Sequence, residues 1–121
     1  MNIVLVFLGG GIGAVIRWLF QLWLGKSEGH TFDWSTFSVN CIGSFMIGIL
    51  AALAYKFKWS EASILLLMTG VLGGFTTYSS FALETIQMFR QQQWLLAFQN
   101  ILFTNVIAIG LCALGFYLIK S

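Results

Sequence analysis

The residues best suited to handling an ion lie at helical spacing inside strongly apolar runs. Asn40 sits in "STFSVNCIGSFMIG", where Thr36, Asn40, Gly43 and Ser44 form one stripe. Its amide carries two N–H donors and one acceptor. Two uses stay open for it: glue between helices, or donors offered to a permeating anion. In "GGFTTYSSF", residues 73–81, Tyr78 and Phe81 share a face, and Thr77 and Ser80 form a hydroxyl stripe beside them. Asn100, Thr104, Ala108 and Cys112 share a third face, with Asn105 beside it. Thr104 there either lines a polar path or packs helices together.

Two further features concern shape. Gly9, Gly13, Arg17 and Gln21 recur every four residues and so share a face. The pair Gly9 and Gly13 lets another helix approach closely. An intramembrane arginine costs several kcal/mol (about 2.5–3.5 on insertion scales) unless it snorkels or meets a polar interior. For Arg17 a vestibule or structural hydrogen-bonding role is favoured over snorkelling. In "GVLGGFTTYSSF", Gly73 and Gly74 precede the β-branched Thr76 and Thr77. Glycine weakens a helix interior by about 1 kcal/mol, so the run predicts a break. Broken backbone at membrane depth frees carbonyls for a cation and helix N-termini for an anion.

These stripes must be carried by membrane helices. The chain has 121 residues, 59% of them hydrophobic and 8% charged, with mean hydropathy +0.89. Soluble domains carry about 25% charge. A span needs about 20 apolar residues, and four segments qualify: 2–24, 34–55, 61–88 and 94–119. The expected fold is a single all-α integral membrane domain of four antiparallel neighbours, 2–24 being a retained helix, not a signal peptide. Short polar breaks separate the spans, and Trp23, Trp34, Trp59 and Trp94 lie near span ends, as an interfacial belt requires.

Several functions are disfavoured. The net charge of +2 is too small and dispersed for nucleic acid. No Ser/His/Asp set, Cys/His pair or metal-ligand spacing occurs, so an enzyme is not expected. Cys41 and Cys112 fall in apolar runs and read as small buried hydrophobes. His30 reads as a solvated loop residue. Glu84, near the end of the third span, is expected to face the interface, which leaves no mid-membrane acid for proton coupling.

Lys56, Lys58 and Lys120 fall on one side of the membrane. Lys26 and Arg90 fall on the other, joined by Arg17 if it reaches that interface. Three against two or three gives almost no positive-inside bias. Insertion in both orientations, and hence an antiparallel homodimer, becomes available.

Three blocks, "GGGIGAVIRW", "VNCIGSFMIG" and "GGFTTYSSF", together resemble the Fluc (CrcB) fluoride channels, and the resemblance covers nearly the whole chain. It implies a third helix broken at mid-membrane and an antiparallel, dual-topology homodimer in a bacterial-type inner membrane. It implies two fluoride pores per dimer and passive export of fluoride that entered as neutral HF. A structural sodium ion (Na+) would sit at the dimer centre on the backbone carbonyls of Gly73 and Thr76. Asn40 would contribute amide hydrogen bonding in the pore, Tyr78 and Phe81 the paired aromatic box, and Thr77, Ser80 and Thr104 positions near a polar track. Arg17 matches the arginine after the glycine-rich start. One departure stands out: the first aromatic of the box is usually phenylalanine, and here it is Tyr78. Its ring keeps an electropositive edge but adds a hydroxyl that needs a partner. The alternative reading is a small dual-topology multidrug exporter. That class relies on a carboxylate in its first span, where this chain has Arg17 and no acid.

Overall fold

The computed structural model describes residues 1–25 and 32–120. Lys26 and His30, read above as loop residues, lie outside the described residues. The elements are α1 (Asn2–Leu24), α2 (Trp34–Phe57), α3 (Glu61–Ile64), a wide-turned π-helical segment (Leu65–Leu72), α4 (Gly73–Phe75), α5 (Tyr78–Arg90) and α6 (Trp94–Lys120). From Glu61 to Arg90 the helical pieces make one long span. Four spans are therefore long and apolar enough to cross a membrane, within two residues of the predicted bounds. Among the described residues there is no strand.

Local chemistry sets the ends. Asp33 caps α2 by accepting from the Thr36 N–H at 3.2 Å, and Ser60 caps α3 by accepting from the Ser63 N–H at 3.2 Å. At the far end of α2, Lys58 turns left-handed at φ 51° and its N–H reaches the Ala54 carbonyl. Such caps satisfy donors and acceptors that a helix end leaves open. Trp23, Trp34 and Trp94 are exposed at span ends, and Trp59 is half-buried.

The spans pack as two pairs. α2 lies along α6, and α1 lies along the Leu65–Leu72 segment and α4. Small residues set both seams. A side chain at Gly9 would stand 2.9 Å from the Gly70 Cα; one at Gly13 would run into the Val71 carbonyl, and one at Gly74 into the Gly10 carbonyl. In the other pair, Gly48 faces the Cys112 carbonyl and Gly115 the Phe45 carbonyl. Lipid is as apolar as leucine, so close backbone approach and dispersion replace hydrophobic burial as the source of helix association. Cys41 is buried and Cys112 half-buried, both as free thiols.

Overpacking a tight interior costs about 1–3 kcal/mol. Gly13→Ala is therefore expected to lower the thermal unfolding midpoint in detergent by several degrees. Gly110→Ala, whose new carbon would meet nothing within 4 Å in the chain, is expected to leave it unchanged. Circular dichroism melts of the two variants check this.

Candidate functional site: an interrupted span beside a cleft

The third span loses helical regularity at two consecutive residues. Thr76 has φ −82° and ψ 159°, and Thr77 has φ −149° and ψ 109°. Both are extended, a conformation that β-branched residues favour. Thr76 closes the first half by returning its N–H and its hydroxyl to the Leu72 carbonyl, each at 3.1 Å. Thr77 opens the second half: its hydroxyl oxygen accepts from the Ser80 N–H at 3.2 Å and its hydroxyl donates to Ser80 Oγ at 3.1 Å.

Asn40 on α2 holds the interruption open. Its Nδ2 donates to the Thr77 carbonyl at 3.0 Å, and its Oδ1 accepts the Thr77 N–H at 2.8 Å. The side-chain amide thus replaces the helical acceptor that the Thr77 N–H gives up, and adds a second donor to the Thr77 carbonyl, which as N-cap also takes the first bond of α5. In an unbroken helix the Thr77 N–H would serve the Gly73 carbonyl, and the Ser80 N–H would serve that of Thr76. Both donors are diverted here, one to Asn40 and one to the Thr77 hydroxyl. The carbonyls of Gly73 and Thr76 lose their helical donors as a result. Gly43, one turn along α2, presses against the Thr76 methyl group. The stripe Thr36–Asn40–Gly43 therefore faces the third span.

Beside the interruption lies a cleft of about 330 Å³. It brings together six of the predicted positions: Asn40, Gly73, Thr76, Tyr78, Phe81 and Thr104. The rings of Tyr78 and Phe81 lie 5.6 Å apart, tilted by 57°. Phe81 is 6% exposed and Tyr78 77% exposed, so the phenylalanine is packed into the chain and the tyrosine stands out from it. Thr77, Ser80 and Arg17 do not line this cleft. Thr77 is buried and Ser80 half-buried. Arg17 is half-buried, and its buried Nε has no hydrogen-bond partner among the described residues.

A second polar cluster links α5 to α2 and α6. Thr36 donates its hydroxyl to Glu84 Oε2 at 2.6 Å. Glu84 is only 8% exposed. The expectation that it faces the interface is corrected: the carboxylate packs inward because Thr36 on α2 offers it a donor. Thr85 donates to the Phe81 carbonyl at 2.8 Å and accepts from Asn100 Nδ2 at 2.9 Å. Thr104 in turn donates to Asn100 Oδ1 at 3.4 Å. Sequence reasoning overlooked Thr85 and the partnership of Thr36 with Glu84. The signal was present as spacing, since Thr77, Phe81, Glu84, Thr85 and Met88 form the buried face of the second half-span.

Taken together, these features define a small four-span integral membrane protein with an interrupted third span. Comparison with known proteins specifies it further. A family model described as "CrcB-like protein, Camphor Resistance (CrcB)" matches residues 4–116. The chain is 36% identical over 121 residues to the Fluoride-specific ion channel FluC of Leptospira interrogans serovar copenhageni, covering 99% of this chain and 95% of the relative. It is 43% identical over 111 residues to a protein of the same name from Agrobacterium fabrum, covering 91% and 89%. It is 38% identical over 120 residues to another from Gloeothece citriformis, covering 99% and 98%. The chain belongs to the CrcB family, a family of multi-pass bacterial membrane channels and not of enzymes.

Asn40→Ala strands the Thr77 N–H, at about 1–3 kcal/mol for the unsatisfied group. Amide hydrogen exchange at Thr77 and Tyr78 is expected to speed up at least tenfold, while that of the α2–α6 seam changes little. Exchange followed by mass spectrometry checks this.

Proposed function

We propose that the chain is a fluoride-selective passive channel that exports cytoplasmic fluoride. It works as an antiparallel, dual-topology homodimer with two pores. The observation that carries this reading is the Asn40-pinned interruption, which opens onto a mainly apolar cleft that also holds two amides and two aromatic rings. The names of the full-length relatives support the choice of ion. Thr76 stands 15 residues from Glu61, and Arg90 stands 13 from Thr77, in the span Glu61–Arg90. That position supports placing the break near mid-membrane.

Fluoride is small and strongly hydrated, so a pore must replace its water with matched donors. The second N–H of Asn40 and the ring edges of Phe81 and Tyr78 supply them from one wall, which Thr104 also lines with its proton committed to Asn100. Thr77 and Ser80, hydrogen-bonded to each other, hold that wall in shape. None of these groups carries a formal charge, which keeps binding weak enough for exit. The nearby acid Glu84 is tied to Thr36. A cleft open on one side needs a second wall, which a second copy supplies.

A sodium ion fits the oxygen set at Gly73 and Thr76, whose carbonyls have lost their helical donors. Bound there and shared between two copies, it would supply a fixed positive charge that ties the subunits together.

Two measurements test the reading. Proteoliposomes loaded with fluoride are expected to empty far faster than protein-free vesicles, and those loaded with chloride are not; equal leak of both with folded protein refutes the channel. A side chain at Gly73 would meet nothing closer than the Met68 carbonyl at 3.8 Å within the chain. Loss of dimer in Gly73→Val, read by cross-linking, therefore reports on a second copy; an intact dimer that retains sodium refutes the shared site.

A further inference from the structure

Four asparagines occur in the chain, and three lie well inside the spans: Asn40, Asn100 and Asn105. Two of them behave as helix glue. Asn40 makes two bonds to Thr77, and the buried Asn100 bonds Thr85 and Thr104. Asn105 does neither. Its side chain is exposed, and among the described residues it makes one hydrogen bond, from Nδ2 to the Ile101 carbonyl of its own helix at 2.6 Å. That leaves one N–H and the Oδ1 without a hydrogen-bond partner among the described residues.

Depth makes this exposure informative. Asn105 is 11 residues from Trp94 and 15 from Lys120 at the ends of α6. At about 1.5 Å per residue these are about 16 Å and 22 Å. A hydrocarbon core is about 30 Å thick, so the amide stands near its centre. A polar side chain at that depth faces the bundle interior or a water-filled cavity, not lipid. Asn105 lines the same cleft as Asn40, Tyr78, Phe81 and Thr104. The flanking Val106 is 60% exposed and does not line the cleft.

We propose that Asn105 is an anion-contacting amide of the conduction path, offering its remaining N–H to the ion from the α6 wall of the cleft. The proposal rests on the channel reading above and adds a selectivity-determining residue to it. An amide there is a neutral donor like that of Asn40, so the ion would meet donors from α2 and α6 on successive sides. A carboxylate at the same place would repel it.

The test uses the full chain in proteoliposomes. Wild-type fluoride efflux comes first; if it is absent, the channel reading fails and the inference falls with it. With wild-type flux established, Asn105→Asp is expected to cut efflux more than tenfold, and Asn105→Ala severalfold with a lower fluoride-over-chloride ratio. A purely structural amide would leave that ratio unmoved. In a Cys41→Ala, Cys112→Ala background, N105C is expected to react with a charged methanethiosulfonate and lose flux, whereas V106C is not. Since labelling is read on folded protein, it decides the matter even where N105D fails to fold. Wild-type efflux and ion ratio in N105A, labelling of N105C no faster than V106C, or labelling that leaves flux intact overturns the proposal.

Discussion

The structure depends on one reciprocal pair of hydrogen bonds, between the Asn40 amide and the backbone of Thr77. A helix cannot simply stop inside a membrane, because each orphaned backbone group costs several kcal/mol (about 4–8 on hydrocarbon scales) without a partner. Asparagine can supply what is missing, because its O=C–NH₂ group mimics a peptide unit and serves one N–H and one carbonyl together. With Thr77 satisfied from outside, its hydroxyl is free to begin the second half-helix. The donors that would have continued the first helix then point elsewhere. Interruption, cap and released carbonyls are three results of a single contact.

The same contact couples the two helix pairs. Each pair is closed by small residues along its seam, where backbone meets backbone. Polar bonds run mainly between the pairs: Asn40 to Thr77, Thr36 to Glu84, and Asn100 to Thr85. Dispersion thus sets how close neighbouring helices come, and hydrogen bonds set how the pairs are aligned. The cleft lies beside that polar joint.

Most of the fold was legible in the sequence. Unbroken apolar length marked the four spans, and glycine at i,i+4 spacing marked the α1 seam. "GGFTT" pointed to the interruption because two glycines and two β-branched residues disfavour a helix there. What stayed hidden was pairing across the sequence. Nothing near Asn40 says that its partner is a backbone unit 37 residues on, and nothing near Glu84 says that Thr36 will draw it inward. Side-chain hydrogen bonds between spans depend on helix rotation, which a periodic pattern limits only to a face. Asn105 was visible only as a neighbour of a stripe; its exposure, which distinguishes it from Asn100, is a fact of packing.

The pairing order has a consequence for biosynthesis. The first span packs on the third and the second on the fourth, so the partners interleave along the chain. As the polypeptide leaves the insertion machinery, α1 and α2 emerge beside each other with their main seams uncovered. The first pair can close only after the third span is inserted, and the second must wait for the last residues to be made. Until the third span is inserted, Asn40 lacks its partner Thr77. The nascent chain therefore has a defined window in which a half-inserted bundle must be sheltered, and it ends only when α6 arrives.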